Sequence, residues 1–149
     1  MRQMPTIRQN PTRRGAVIVE MALVLPIFLA LVLGIIEFGR GLMVGQLVTN
    51  AAREGARKAI LDGSTNSDIT TTIQTLLATS ANVSTGDITV TITVTPATGY
   101  QDPGNNIAAC HSKDLITIKV QIPFNKVALV AGKYLKDKML TGQAAMRHE

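Results

Sequence analysis

Residues 13–37 constrain this chain more than any other segment, because they join a short basic arm to a long apolar stretch. Across residues 16–36 the only charged side chain is Glu20. About 20 apolar residues in a helix match the ~30 Å hydrocarbon core of a bilayer. A cleavable secretory signal has an apolar region of roughly 7–15 residues that ends in a small-residue site, whereas this run ends at Glu37. We therefore predict a membrane-spanning helix over residues 16–38 that stays with the protein.

The positive charge of the chain is concentrated at its N-terminus. Four of the 15 Lys and Arg residues lie in the first 15 positions, which contain no acid, so the rest of the chain has 11 basic and 10 acidic residues. A nucleic-acid-binding domain needs a basic stripe on its folded surface, and we predict no nucleic-acid partner. By the positive-inside rule, the N-terminus is predicted to lie in the cytoplasm and residues 39–149 on the other side of the membrane.

Glu20 is the residue of the apolar segment that most needs explanation. A carboxylate inside a membrane segment is costly and usually has a partner. One interpretation is that its side chain extends to the membrane surface. The other is that cleavage after Gly15 creates an amine at Ala16, and that Glu20 of one subunit pairs with this amine on its neighbour. The second interpretation makes residues 1–15 a basic leader peptide.

Two helical segments are predicted beyond the membrane. Apolar residues recur at i, i+3 and i+4 over residues 44–62, so the membrane helix is predicted to continue, with Gly63 as its C-terminal cap. A shorter amphipathic helix over residues 68–80 is predicted to begin at Ser67 or Asp68. Its predicted apolar stripe is Ile69, Ile73, Leu76 and Leu77.

Strands are predicted where apolar and polar residues alternate. Ile and Val alternate with Thr over residues 88–95, and a similar alternation covers residues 115–122. The tail at 139–147 is a candidate third strand, and residues 127–136 are ambiguous, a short helix being one option. Strands with one apolar side favour an antiparallel sheet with one wet face. The predicted fold class is therefore α+β, with a long N-terminal helix packed on a small antiparallel β-sheet.

No catalytic or metal-binding constellation is predicted. Cys110 is the single cysteine, which excludes an intramolecular disulfide and leaves an intermolecular one open. Cys110 and His111 are adjacent in a polar loop over residues 97–113, and no third group is indicated that would orient them for catalysis. The sequence has no phosphate-binding Gly-rich motif and no metal-ligand spacing. We predict that the protein is not an enzyme and has no cofactor, metal or small-molecule substrate.

Four sequence blocks resemble the TadE-like family of minor pseudopilins from the tight-adherence (Flp) pilus system. The blocks are Arg14-Gly15, Val19-Glu20-Met21-Ala22-Leu23-Val24-Leu25-Pro26, Glu37-Phe38-Gly39-Arg40 and Asn50-Ala51-Ala52-Arg53-Glu54-Gly55-Ala56-Arg57. The resemblance covers residues 14–57. In the family's processing motif an aromatic residue usually follows the Glu, and Met21 stands there in this chain.

The resemblance implies a pilin-like fold and cleavage between Gly15 and Ala16 by a prepilin peptidase. It also implies an assembly contact at Glu20 and a role in pilus assembly, adherence and biofilm formation. The implied partners are the membrane, other pilins or pseudopilins and the pilus secretion machinery. The other function that stays open is an unprocessed, single-pass membrane-anchored binding domain outside the cytoplasm.

Two further groups of residues are candidates for a role in assembly. The first is a membrane-exit motif in which Glu37 and Arg40, three residues apart, are expected to pair with one another. The second is one face of the predicted helix. Its residues either form a ridge that binds a partner protein or are simply a solvated surface, and the sequence favours neither alternative. The membrane-exit motif is Glu37, Phe38, Gly39 and Arg40, and the candidate partner face is Asn50, Arg53, Glu54 and Arg57.

Overall fold

The computed structural model describes residues 11–129 and 138–148, and their side chains from residue 15 onward. Within these residues the chain forms two α-helices, three strands and three short 3₁₀ turns. The helices are α1 (Pro11–Ala59) and α2 (Asn66–Ala81), and the strands are β1 (Thr89–Thr95), β2 (Leu115–Pro123) and β3 (Met139–Arg147). The chain divides into two compact units, one ending at Ile36 and the other beginning at Glu37. Each unit is described by itself.

The first unit is the N-terminal part of α1. The helix is described from Pro11 onward, and Pro26 lies inside it without ending it. Large apolar side chains cover its surface, and Ile27 is 72% exposed. One 18-residue window has a mean hydropathy of 2.8, and none of it is buried. By length and composition, α1 is the one helix among the described residues that can cross a membrane.

The second unit begins with the C-terminal part of α1, which is rich in small residues. The buried side chains of this part are Val44, Val48, Ala51, Ala52, Ala56 and Ala59. At Gly55 a Cβ atom would lie 2.5 Å from Cδ1 of Ile73 in α2, so glycine permits the close approach of the two helices. The helix ends at Ala59, three residues before the predicted end, and Gly63 adopts a positive φ of 80° in the turn that follows.

Helix α2 begins earlier than the sequence predicted. Its N-cap is Thr65, whose hydroxyl oxygen accepts a hydrogen bond from the N–H of Asp68 at 3.2 Å. The prediction that Ser67 or Asp68 caps this helix was therefore wrong. Leu76 is 39% exposed, so its predicted place in the buried stripe was also wrong. The buried residues of α2 are Ile69, Ile73, Leu77 and Ala81.

The three strands form one antiparallel sheet with the order β1-β2-β3. Residues at alternate positions of β2 are fully buried against the helices, and those between them are half-buried. This pattern confirms the predicted α+β class, and the tail at 139–147 is indeed the third strand. Of the ambiguous segment 127–136, residues 130–136 lie outside the described residues.

One glycine brings the sheet into contact with α1. A Cβ atom added at Gly142 in β3 would lie 2.6 Å from the backbone nitrogen of Thr49. Since that nitrogen belongs to the helix backbone, no side chain can rotate to make room. Only glycine fits at this crossing of β3 over α1.

Candidate functional site

The predicted processing and assembly residues lie on the exposed surface of α1 in the first unit. Gly15, Ala16 and Glu20 are all exposed, and the space around Gly15 is open. Within the described residues of this single chain, no hydrogen bond or ion pair is recorded for Glu20. A carboxylate is costly in an apolar segment that crosses a membrane unless it has a partner.

Two residues of the membrane-exit motif bind a distant backbone segment in the second unit. Glu37 is only 7% exposed. Its two carboxylate oxygens accept the N–H of Leu129 at 3.1 and 3.0 Å. The Nε–H of Arg40 donates to the carbonyl oxygen of Val127. The two side chains therefore fix residues 127–129 against α1.

The other two residues of the motif face outward. Phe38 is 70% exposed, and the space around Gly39 is open. Just beyond the motif, a Cβ atom at Gly41 would lie 3.0 Å from the ring of Phe124, so this ring packs on the helix. The sequence suggested that Glu37 and Arg40 neutralise one another, whereas the structure gives each a backbone partner some 90 positions away.

Replacing Glu37 with Ala is expected to destabilise the attachment of residues 127–129 by about 1–3 kcal/mol, because the N–H of Leu129 loses a charged acceptor. The measurement is hydrogen exchange at the Leu129 amide in the full chain in detergent micelles, where exchange should accelerate. Replacement of the exposed Glu54 on the same helix by Ala is the control and should leave this amide unchanged. Equal protection in the two variants would contradict the contact.

The side chains of the candidate partner face are exposed in this single chain, which both predicted alternatives allow. Asn50, Arg53, Glu54 and Arg57 are exposed, while the small residues between them are buried in the core. The four side chains line one wall of an open groove of about 560 Å³, and residues 143–146 of β3 line the other. The candidate partner face therefore lies beside the edge strand β3. The sequence did not indicate that these two elements are neighbours.

A buried carboxylate organises the ends of the polar loop over residues 97–113. Asp114 has no exposed surface. Its carboxylate accepts the N–H of His111 at 2.8 Å and the N–H of Ala97 at 2.7 Å. These two backbone hydrogen bonds lower the pKa of Asp114, and the nearby His111 and His148 lower it further, while burial opposes the shift. The ionised form therefore holds both ends of the loop.

Two asparagines fasten the middle of the same loop. The side chain of Asn66, at the start of α2, donates to the carbonyl oxygen of Asn105 at 2.8 Å and accepts the N–H of Ile107 at 2.9 Å. The side chain of Asn105 in turn accepts the N–H of Val94 in β1 at 2.8 Å. The loop is thus attached to both a helix and a strand.

The cysteine and histidine of the loop are not arranged as a nucleophile and its base. The thiol of Cys110 donates to the carbonyl oxygen of Asn106 at 3.6 Å, and burial is the main cause that raises its pKa. A raised pKa makes a thiol less reactive. The ring of His111 stacks on Tyr100 with 4.9 Å between ring centroids. The described residues contain no group of three or more potential metal ligands.

Residues 15–57 match the family model described as TadE-like protein. This match confirms the resemblance predicted from residues 14–57, and it covers the exposed Glu20, the membrane-exit motif and the candidate partner face. Neither the curated proteins nor the solved structures compared with this chain gave a match. The family is associated with the tight-adherence pilus and is structural rather than catalytic, and the long apolar α1 is consistent with a single-pass membrane anchor.

Proposed function

We propose that this chain is a membrane-anchored, minor pseudopilin-like subunit of a tight-adherence (Flp-type) pilus. The observation that supports this most is the family match over residues 15–57. In the proposed arrangement residues 1–15 are a leader peptide, residues 16–38 span the bacterial cytoplasmic membrane and residues 39–149 form the exported domain. Its partners are a prepilin peptidase, other pilins or pseudopilins and the pilus secretion machinery.

The proposed cleavage falls at a point where α1 is easily opened. Gly15 lies within α1, and inside a helix glycine is about 1 kcal/mol less favourable than alanine. A peptidase acts on extended backbone, so it must unwind the helix around the bond that it cuts. Gly15 lowers the cost of that unwinding, and the open space around it leaves the bond accessible.

The proposed role of Glu20 follows from the cost of charge in lipid. Cleavage after Gly15 leaves a positively charged amine on Ala16, at the edge of the apolar segment. Two opposite charges that meet in a low-dielectric environment attract strongly, and each reduces the cost of burying the other. A contact between Glu20 of one subunit and Ala16 of the next therefore fixes the axial position of one helix relative to its neighbour.

Replacing Gly15 with Ala is expected to abolish cleavage, since the added methyl group strengthens the helix and enlarges the residue before the bond. The measurement is the intact mass of the membrane-extracted protein, which should begin at Ala16 in the natural chain and retain residues 1–15 in the variant. Gly34→Ala is the matched control, because Gly34 lies on the same helix with open space around it, and it should be cut normally.

An intact N-terminus in the natural chain, produced together with its prepilin peptidase, would contradict the processing mechanism. It would favour the other function, an unprocessed membrane-anchored binding domain. A natural chain that begins at Ala16, in cells that form pili only when this protein is present, would support the proposed function.

Replacing Glu20 with Ala is expected to leave cleavage intact and to reduce incorporation into the assembly at least tenfold, because the amine of the neighbouring Ala16 loses its partner. Incorporation is measured as the amount of protein that co-purifies with sheared pili or with the assembly machinery. Asp62→Ala, at an exposed carboxylate outside the membrane segment, is the control. Normal incorporation of the Glu20 variant would show that this carboxylate pairs within its own chain or at the lipid surface.

A further inference from the structure

The pairing of the antiparallel strands shows which residues direct their backbone N–H and C=O groups toward the outer edges of the sheet. The N–H of Val94 in β1 donates to the side chain of Asn105, outside the sheet. Val94 is paired with Ile116 of β2, so these two residues form a non-hydrogen-bonded pair. Because such pairs alternate with hydrogen-bonded ones along an antiparallel ladder, Ile116 directs its backbone groups toward β3.

Two hydrogen bonds at the ends of β3 agree with this assignment. The N–H of His148 donates to the carbonyl oxygen of Asp114 at 2.9 Å, and the N–H of Phe124 donates to the carbonyl oxygen of Lys138 at 2.8 Å. The even-numbered residues of β3 therefore face β2, and the odd-numbered ones direct their N–H and C=O groups away from the sheet. These outward-directed residues are Met139, Thr141, Gln143, Ala145 and Arg147.

In the described part of the chain, no backbone partner is recorded for these five outward-directed residues. The edge of β3 lacks two of the devices that prevent strand addition, since the strand contains no proline and its register with β2 runs from Met139 to Arg147 without a bulge. The opposite edge differs, because Asn105 already binds the N–H of Val94 in β1. The edge of β3 is thus the open one.

The charges around the edge of β3 are mainly positive. Lys138 and Arg147 stand at its two ends, and Arg53 and Arg57 lie across the groove on α1, where Glu54 is the one acid among the described residues that line the groove. A second copy of this chain would bring the same positive charges together, which opposes edge-to-edge pairing. An acidic strand is electrostatically complementary to the edge.

We propose that the edge of β3 binds an extended acidic segment of a partner protein as a fourth strand. The backbone groups of residues 139–147 would supply the hydrogen bonds, and alternate carboxylates of the partner would face Arg53 and Arg57 in the groove of about 560 Å³. In such strand addition main-chain bonds give affinity and side chains give specificity. The inference rests on the proposed assembly function and names the chemistry of one partner.

The test uses the full chain in detergent micelles and a nine-residue peptide in which glutamate alternates with valine. A peptide with lysine in place of glutamate is the control probe. The acidic peptide is expected to bind at least tenfold more tightly and to weaken as salt rises. In amide NMR spectra its binding should shift and protect residues 141, 143 and 145, whose N–H groups are free.

Two sets of variants separate the backbone contribution from the charge contribution. Ala145→Pro removes an N–H that faces the free edge and breaks no bond to β2, and it should weaken binding at least tenfold, while Ala145→Ser keeps the N–H and should bind normally. Arg53→Glu combined with Arg57→Glu alters only exposed side chains and should reverse the preference between the two peptides.

Equal binding of the two peptides, shifts confined to β1, or pairing of two copies through β3 would each overturn the inference. Unchanged binding in both the Ala145→Pro and the double arginine variants would do the same. A failure of the inferred strand binding can be distinguished from a failure of the proposed function. A chain that is cut after Gly15 and assembled, yet binds no acidic peptide, contradicts only the docking surface, whereas an uncut chain that binds the peptide contradicts only the processing.

Discussion

Replacing Gly142 with Ala is expected to destabilise the folded domain by about 3 kcal/mol or more. The new Cβ would lie 2.6 Å from the backbone nitrogen of Thr49, 2.7 Å from its Cα and 2.7 Å from the carbonyl carbon of Val48. All three atoms belong to the backbone of α1, where no rotamer change can relieve the overlap. The strand must move away from the helix and open the core around Val48, which has no exposed surface.

The measurement for Gly142→Ala is the free energy of unfolding of the full chain in micelles, with hydrogen exchange at the β2 amides as a local readout. Gly45→Ala is the matched control, since it lies on α1 with open space around it. Alanine is favoured over glycine by about 1 kcal/mol in a helix, so this control should be neutral or stabilising. Equal stability of the two variants would show that β3 does not approach α1 so closely.

The short distance between β3 and α1 at Gly142 also matters for the proposed binding of an acidic strand at the edge of β3. The next residue of β3, Gln143, begins the wall of the groove that faces Arg53 and Arg57. A strand displaced from α1 would move its free edge away from these arginines. The Gly142→Ala variant should therefore also lose the preference for an acidic peptide, in any fraction of the protein that remains folded.

The strands and the main helix could be predicted because their residues follow local periodicities. Ile and Val alternate with polar residues in β1 and β2, and burial of one side of each strand fixes which residues face the core. The apolar run of α1 is equally local, since its length alone matches a bilayer. These patterns were sufficient for the fold class and for β1 and β2, whereas the third strand at 139–147 was predicted only as a candidate.

The errors at α2 have a local cause as well. Thr65 and Asp68 form a reciprocal pair in which the Thr65 hydroxyl donates to the Asp68 carboxylate at 2.7 Å and accepts the Asp68 N–H. This Thr-x-x-Asp spacing is close to the known capping box and was present in the sequence. The buried residues of α2, Ile69, Ile73, Leu77 and Ala81, are spaced four apart, and Leu76 lies beside this stripe and not in it.

The contacts of the membrane-exit motif could not be read from local patterns. Glu37 and Leu129 are 92 positions apart, and no periodicity relates a helix residue to the backbone of a remote turn. The same holds for the groove, since Arg53 and Gln143 become neighbours only when β3 crosses α1 at Gly142. Long-range juxtapositions of this kind depend on the tertiary fold. Family resemblance identified the α1 residues that take part in them, but not their partners in the rest of the chain.

Replacing Asp114 with Asn is expected to destabilise the domain by about 2–3 kcal/mol at neutral pH, because two backbone N–H groups lose a charged acceptor in a buried site. The Asn side chain has the same size, but its amide nitrogen donates hydrogen bonds and cannot accept them. Its oxygen can replace only one of the two carboxylate oxygens that accept the N–H groups of His111 and Ala97. Both ends of the loop over residues 97–113 are therefore expected to loosen. Hydrogen exchange at the amides of His111 and Ala97 measures this locally, beside the free energy of unfolding.

The pH dependence of this difference distinguishes a lost charge from a lost packing contact. The pKa of Asp114 is lowered in the folded protein, so its ionised form contributes stability that is fully present above the unfolded pKa of about 3.9 and is lost as the pH falls through the folded pKa. The difference between the two proteins should therefore shrink as the solution is made acidic through the folded pKa of Asp114. Asp102→Asn, at an exposed carboxylate that accepts only the nearby Gly104 N–H, should show a much smaller difference. A difference for Asp114→Asn that persists unchanged into acid would mean that packing, and not the carboxylate charge, holds the loop.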